Sequence, residues 1–305
     1  MKLYIIGNGF DKNHGCETGY DSFKVYLTKH SYSICGFELS HYFTGLDKKQ
    51  WTDFENELEN IDFESEMADY ISDINPNDSD REFEDAVSRN SSIQESFEEA
   101  LDSFHPALCQ ALSDFVCEAT SEKIDTKDYF TGIFKPDDVF VTFNYTKLLE
   151  TIYRISDRNI NHIHGIAHRT YRHKDDVGEF YGDPTIIFGH GNLKKTPKIQ
   201  RNYEYDPFKP QKCLRTLNQE LKKDYQIKSL DDFISRQSNL IDTVEIIGHN
   251  LGEVDEPYFK ELNKLIPKSA EIVFWVYDCD TEEEKLECLR KLFPKHKIVT
   301  KYYPD

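Results

Sequence analysis

The chain has 305 residues, 38% of them hydrophobic, 13% aromatic and 30% charged, a composition that supplies a packed core and excludes a disordered or fibrous protein. No apolar run approaches the roughly 18 residues needed to span a bilayer, so no membrane partner is expected. A net charge of −19, from 56 acidic against 37 basic residues, repels a nucleic-acid backbone and argues against nonspecific nucleic-acid binding.

The N-terminus carries an apolar run of only about five residues, too short for the core of a signal peptide. Seven cysteines (Cys16, Cys35, Cys109, Cys117, Cys213, Cys279 and Cys288) include no C-x-x-C pair, which argues against a four-cysteine zinc site and suits a reducing compartment. The expected location is therefore the cytoplasm. Lys2–Ile6 reads as a buried strand that ends in a glycine turn. From about Trp51 to Ala119 the chain is acidic, with Phe54, Leu58 and Ile61 at helical spacing, and residues 75–92 form a charged, turn-rich centre.

Strand patterns then return. They cover 138–143, 162–164, 185–188, 243–247 and 271–277, with an edge strand at 297–302 and a helix over 145–154. Strands interleaved with helices predict an α/β, mainly parallel sheet in a single domain over 1–305. The first strand lies far from its later partners, so the helical region at about 51–128 reads as an insertion. Lys194, Lys195, Lys198 and Arg201, then Lys222 and Lys223, are the candidates for a local basic patch, and the favoured reading of them is solvated loop charges.

Four strand ends carry glycine or asparagine turns with polar groups, and in a parallel sheet such turns converge on one edge. In Gly7-Asn8-Gly9-Phe10-Asp11 the glycines allow backbone amides to approach a phosphate, although the third glycine of the dinucleotide fingerprint is missing. The alternative is a plain turn with Asn8 at positive φ. Asn144, next to Phe143 at a strand end, either fixes a water or hydroxyl, or caps the following helix. His162 and His164 are alternate residues of one strand and so project the same way, as a metal pair, a catalytic base with a neighbour, or a satisfied interior pair. His190, between Gly189 and Gly191, and Asp183 are available as further ligands. Gly248-His249-Asn250-Leu251-Gly252 suits a ribose or phosphate contact, or a helix start capped by Asn250; Asp255, Tyr258 and Phe259 follow.

The succession of GNGFD, Thr18-x-Tyr20-x-x-Phe23, Trp51-x-x-x-Glu55, FNYT, HIHG, FGHG and GHNLGEVDEPYF resembles the AbiH family of bacterial abortive-infection proteins. That family looks like a distant, sirtuin-like branch of the Rossmann folds. The resemblance implies NAD as ligand or substrate, no metal, and a catalytic pair of Asn144 and His164 beside the ribose. The pocket it implies draws on Gly7, Asn8, Gly9, Phe10, Asp11, Thr18, Tyr20, Phe143, Gly165, Gly189, His190, Gly248, His249 and Asn250. Thr146 stands where sirtuins carry aspartate and Asp11 where they carry serine, and the four-cysteine zinc module is missing, so water rather than an acetylated protein is the expected acceptor.

Two rival functions follow from the same residues. One is a metal-dependent hydrolase or nuclease using His162, His164, His190 and an aspartate; the other is a nonenzymatic nucleotide-binding sensor. The acidic helical region is the expected surface for a phage-derived trigger or partner protein, the bland alternative being a solvated face; a homo-oligomer is a further option.

Overall fold

The computed structural model describes residues 1–30, 32–34, 37–43, 45–58, 102–169, 186–191, 219, 221–277 and 281–304. Strands run in chain order as β1 (Lys2–Ile6), β2 (Ser33–Ile34), β3 (Phe37–Glu38), β4 (Val139–Thr142), β5 (Ile160–His162), β6 (Thr243–Ile247), β7 (Glu271–Val276) and β8 (Ile298–Tyr302). β2 and β3 pair with each other alone; the other six form one all-parallel sheet in the order β5-β4-β1-β6-β7-β8. Counting only the strands of that sheet, the order is 3-2-1-4-5-6, the Rossmann arrangement. The α/β Rossmann-like fold expected from the sequence is therefore present.

The apolar runs explain the sheet. β1, β4 and β6 are buried over nearly their whole length, so both faces must be covered, and alternate side chains serve alternate faces. Leu3, Ile5, Val141, Val244 and Phe274 pack with Leu230, Tyr258, Phe259 and Leu289, drawn from the helices Ile227–Ser235, Glu256–Leu265 and Glu282–Leu292. On the other face Tyr4, Ile6, Phe140 and Trp275 meet Phe10, Phe130 and Leu148. β6 carries one buried acid, Glu245, neutralised by Lys2 and accepting a hydrogen bond from Trp275 Nε1 at 2.7 Å. A third cluster joins Phe23, Phe43, Trp51 and Phe54 to Phe104, Leu108 and Phe115 of the helical residues 102–119, with Phe188 and Leu221.

Several boundaries differ from the sequence expectation. β5 stops at His162, leaving His164 in the turn beyond. The helix expected over 145–154 is the single turn Leu148–Thr151, and Arg154 takes a φ of 58°. Residues 186–188 are not in a strand; His190 instead makes an isolated parallel bridge with Lys222. Residues 75–92, Asp183, Lys194, Lys195, Lys198 and Arg201 lie outside the described residues. Cys16, Cys109, Cys117 and Cys288 are thiols rather than disulfide halves. Among the described residues no helix is long and apolar enough to cross a membrane.

Ile5 is fully buried in the central strand. Ile5→Ala should cost about 2–5 kcal/mol, lowering the urea midpoint without changing the slope of the transition. A loss below about 1 kcal/mol would mean that β1 is not covered on both faces.

Candidate functional site

The parallel register carries the ends of β1, β4 and β6 to one edge, where their turns press together. Gly7 N donates to Ile247 O at 2.9 Å and Gly9 N to Gly248 O at 2.8 Å. A Cβ on Gly7 would stand 2.5 Å from His249 Cα, and one on Gly248, whose φ is +68°, would stand 2.2 Å from Phe10 N. Neither contact is possible for a residue with a side chain. This corrects the phosphate reading of the first turn: its glycines accommodate the β6 turn, and the Gly7 and Gly9 amides are already spent there. Asn8 does not take positive φ either; it begins the helix Asn8–Asn13, and its amide donates to Thr18 O at 3.1 Å.

Asn144 follows β4 and is buried. Its Nδ2 donates to Gly7 O at 3.1 Å and to Asp11 Oδ1 at 2.9 Å. Both partners are acceptors, so the amide has one possible orientation, with Oδ1 left buried and unpartnered. Asn144 therefore ties the β1 turn to the β4 turn and does not cap the next helix, whose N-cap is Lys147. Thr146 Oγ1 donates to Asp11 Oδ2 at 2.9 Å. Burial pushes the Asp11 carboxyl up to about 7, although the hydrogen bonds from Thr146 and Asn144 oppose the rise.

A buried ion cluster stands beside this pair. Lys223 Nζ lies 2.7 Å from Glu55 Oε2 and 3.0 Å from Asp255 Oδ1, and Tyr20 donates to Glu55 Oε1 at 2.5 Å. His164 Nε2 sits 3.2 Å from Asp255 Oδ1, close enough for electrostatic attraction but without the alignment of a hydrogen bond. His249 Nδ1 accepts from Leu251 N at 2.9 Å, which leaves its proton on Nε2, 3.3 Å from Asp255 Oδ2. Burial, reinforced by Lys223, lowers the His164 pKa from its ordinary value, so the ring is neutral near pH 7. Burial alone would raise Asp255, but Lys223 and His164 hold its carboxyl well below the usual range. Burial would likewise lower Lys223, and Asp255 and Glu55 more than reverse this.

The predicted histidine pair does not form. Because β5 ends at His162, that ring turns to Glu150 Oε1 at 2.7 Å while His164 faces Asp255. His190 is buried, with Nδ1 3.1 Å from Gly191 O. Among the described residues no three or more His, Cys, Asp or Glu side chains are grouped so that they could hold a metal ion. The space between the Glu55 and Asp255 carboxylates is held by the ammonium of Lys223.

The strand-end turns, Asp11, Glu55, Asn144, His164 and Asp255 line a cavity of about 440 Å³, within the ordinary range for small-molecule sites. Of the residues expected from the sequence, Gly7, Asn8, Gly9, Asp11, Thr18, Tyr20, Phe143, Asn144, His164, Gly248, His249 and Asn250 line it. Four do not. Phe10 is packed into the sheet core against Phe130. Gly165 takes a φ of 77° in the turn after His164, outside the lining. Gly189 and His190 act at one remove: a Cβ on Gly189 would stand 2.3 Å from Leu221 O, and Lys223 N donates to His190 O at 2.9 Å, so they position Lys223. Asn250 does not cap a helix; its Oδ1 accepts from Gly252 N at 3.1 Å and its carbonyl accepts from Lys285 Nζ at 2.7 Å.

Sequence reading missed Lys12, Tyr277 and Lys285 in the lining and the roles of Glu55, Asp255 and Lys223. Glu55 and Asp255 stand inside quoted motifs, which is the one signal that points to them. Lys223, read as a solvated charge, is instead completely buried, and nothing in its local sequence announces this.

The family model for bacteriophage abortive infection AbiH matches residues 3–276. The chain belongs to the AbiH family. That membership links it to phage abortive infection. The matched span includes Asn144, His164, Glu55, Lys223 and Asp255; Tyr277, Thr281 and Lys285 of the cavity lie past its end. No curated protein and no solved structure matches the chain significantly.

Asp11 gives the site a pH signature. Its folded-state pKa is raised, so the folded protein holds a proton that the unfolded chain releases above about pH 4. Its contribution to stability therefore falls as pH rises from there to about 7, and is level above. Asp11→Asn removes this loss, so between about pH 5 and about pH 8 its stability should improve relative to the natural chain in urea titrations. Parallel pH curves for the two proteins would refute the raised Asp11.

Proposed function

We propose that this AbiH protein binds NAD⁺ in the strand-end cavity and hydrolyses its nicotinamide–ribose bond, lowering NAD⁺ in the infected cell. The observation that carries this reading is the buried, unpartnered Asn144 Oδ1, close to the ring of His164, whose Nε2 faces Asp255 Oδ1 at 3.2 Å. Both residues line a cavity at the point where a 3-2-1-4-5-6 sheet reverses its winding. A fixed acceptor and a neutral imidazole ask for a ligand that brings hydroxyl groups or a water.

Charge supports the same ligand. Glu55 and Asp255 exceed Lys223 by one negative charge, which favours a cationic ring and the positive charge that develops on the ribose as the bond breaks. Exposed Lys12 and half-buried Lys285 line the cavity, and in this reading they take the diphosphate in place of the committed glycine amides. The two departures from sirtuins also compensate. Asp11 and Thr146 exchange carboxylate and hydroxyl between the two positions and remain hydrogen-bonded to each other.

In the reaction the bond between the nicotinamide nitrogen and C1′ breaks, and its electron pair neutralises the ring. A water oxygen bonds to C1′ and gives its proton to His164, yielding nicotinamide, ADP-ribose and a proton. Asn144 Oδ1 accepts from a ribose hydroxyl or from the water and so orients the attack.

Nicotinamide release from NAD⁺ should be measured with purified protein and in extracts of phage-infected cells making it. Asn144→Ala and His164→Ala should each lower it about 10²–10⁴-fold. Protection from phage with unchanged NAD⁺ in the cell, together with no NAD⁺ binding by calorimetry, would refute the proposal.

A further inference from the structure

Lys223 is completely buried, and its ammonium contacts two carboxylates that reach it from distant parts of the chain, Glu55 and Asp255. A buried charge is costly unless it is paired, and a hydrophobic side chain would fill the same space at less cost. The chain nevertheless builds a seat for it: Gly189 makes room, and the His190 carbonyl accepts from the Lys223 amide at 2.9 Å. Both carboxylates are in use on their far sides. Glu55 accepts from Tyr20, and Asp255 faces His164 with Oδ1 and His249 with Oδ2.

We propose that Lys223 is a positioning residue, a tethered cation where other hydrolases use a divalent metal, which pins the Asp255 carboxylate so that His164 stands in the cavity as its proton acceptor. The inference rests on the reading of His164 as the base. His249 cannot share that role through Nδ1, which is occupied by Leu251 N–H. The charged groups acting on His164 are Asp255, Lys223 and Glu55, and its ring is otherwise enclosed by Phe143, Tyr145 and Tyr258. Asp255 draws a proton onto the ring and Lys223 repels it, so the two residues set His164 in opposite directions.

That opposition supplies the test, read by the NMR titration of the His164 ring in the full chain, without substrate. Lys223→Met leaves two partly buried carboxylates uncompensated, so it is paired with a second variant, Lys223→Met with Glu55→Gln, which removes one charge of each sign. Both should titrate at higher pH than the natural chain, Asp255→Asn should titrate lower, and Lys223→Arg should restore the natural value. The acid limb of nicotinamide release should move with the His164 titration, to higher pH in the two Lys223→Met variants and to lower pH in Asp255→Asn. Folded variants whose His164 titrates unchanged, or moves one way in all of them, would overturn the inference. Shifts of opposite sign uphold it even if no variant and no natural protein turns over NAD⁺, in which case the functional reading alone fails.

Discussion

The site depends on how closely β1 and β6 meet at their carboxyl ends. Their backbones approach so tightly that Gly7 and Gly248 have no room for a methyl group, and the turn amides are satisfied by the neighbouring strand's carbonyls. Once those two turns interlock, Asn144 on the next strand can reach both Gly7 O and Asp11, and the three strand ends form one rigid edge. Interiors this dense transmit displacement, so an ångström of slack here would be felt at Asn144 and at His249 alike. The glycines so often associated with phosphate contact are used in this chain to let two strand-end turns interlock as one wall of the cavity.

The second organising feature is electrostatic. A chain with a net charge of −19 places a fully buried lysine beside its cavity, paired with two partly buried carboxylates, and that lysine holds Asp255 well below the usual carboxylate range. Asp11, which has hydroxyl and amide partners but no cation, is instead driven toward its neutral form. Two acids lining one cavity are thereby given different characters by their surroundings. The network joins residues from the helical region, from the stretch after Leu221 and from the β6 turn, so the cavity is assembled by several parts of the chain.

Much of this was legible in the linear sequence. Lys2–Ile6 and Thr243–Ile247 are strands over the stretches their apolar patterns marked, because a strand covered on both faces needs an unbroken hydrophobic run. Gly7, Asn144 and His249 stand out in the sequence by their positions after strands and His164 by the HIHG motif, and the parallel sheet brings all four to one cavity. The histidine pair failed for a local reason: period-two alternation holds only while the strand continues, and β5 ends at His162. The phosphate reading of the first turn failed for a longer-range one, since no local pattern tells a glycine that admits a ligand from one that admits another loop.

By itself, then, the sequence determined the kind of fold, the central strands and the residue types at their ends, because these follow from short-range periodicity and from the φ and space that glycine and asparagine tolerate. It also carried the family, through motifs in a fixed order. Only the tertiary structure decided which acids are paired, that Lys223 is interior rather than solvated, and that Asn144 presents its oxygen and not its nitrogen as the unpartnered atom. Those outcomes depend on which groups from distant segments meet after water has been removed, and burial of a charge is a property of the assembled neighbourhood, not of the residue or its neighbours in sequence.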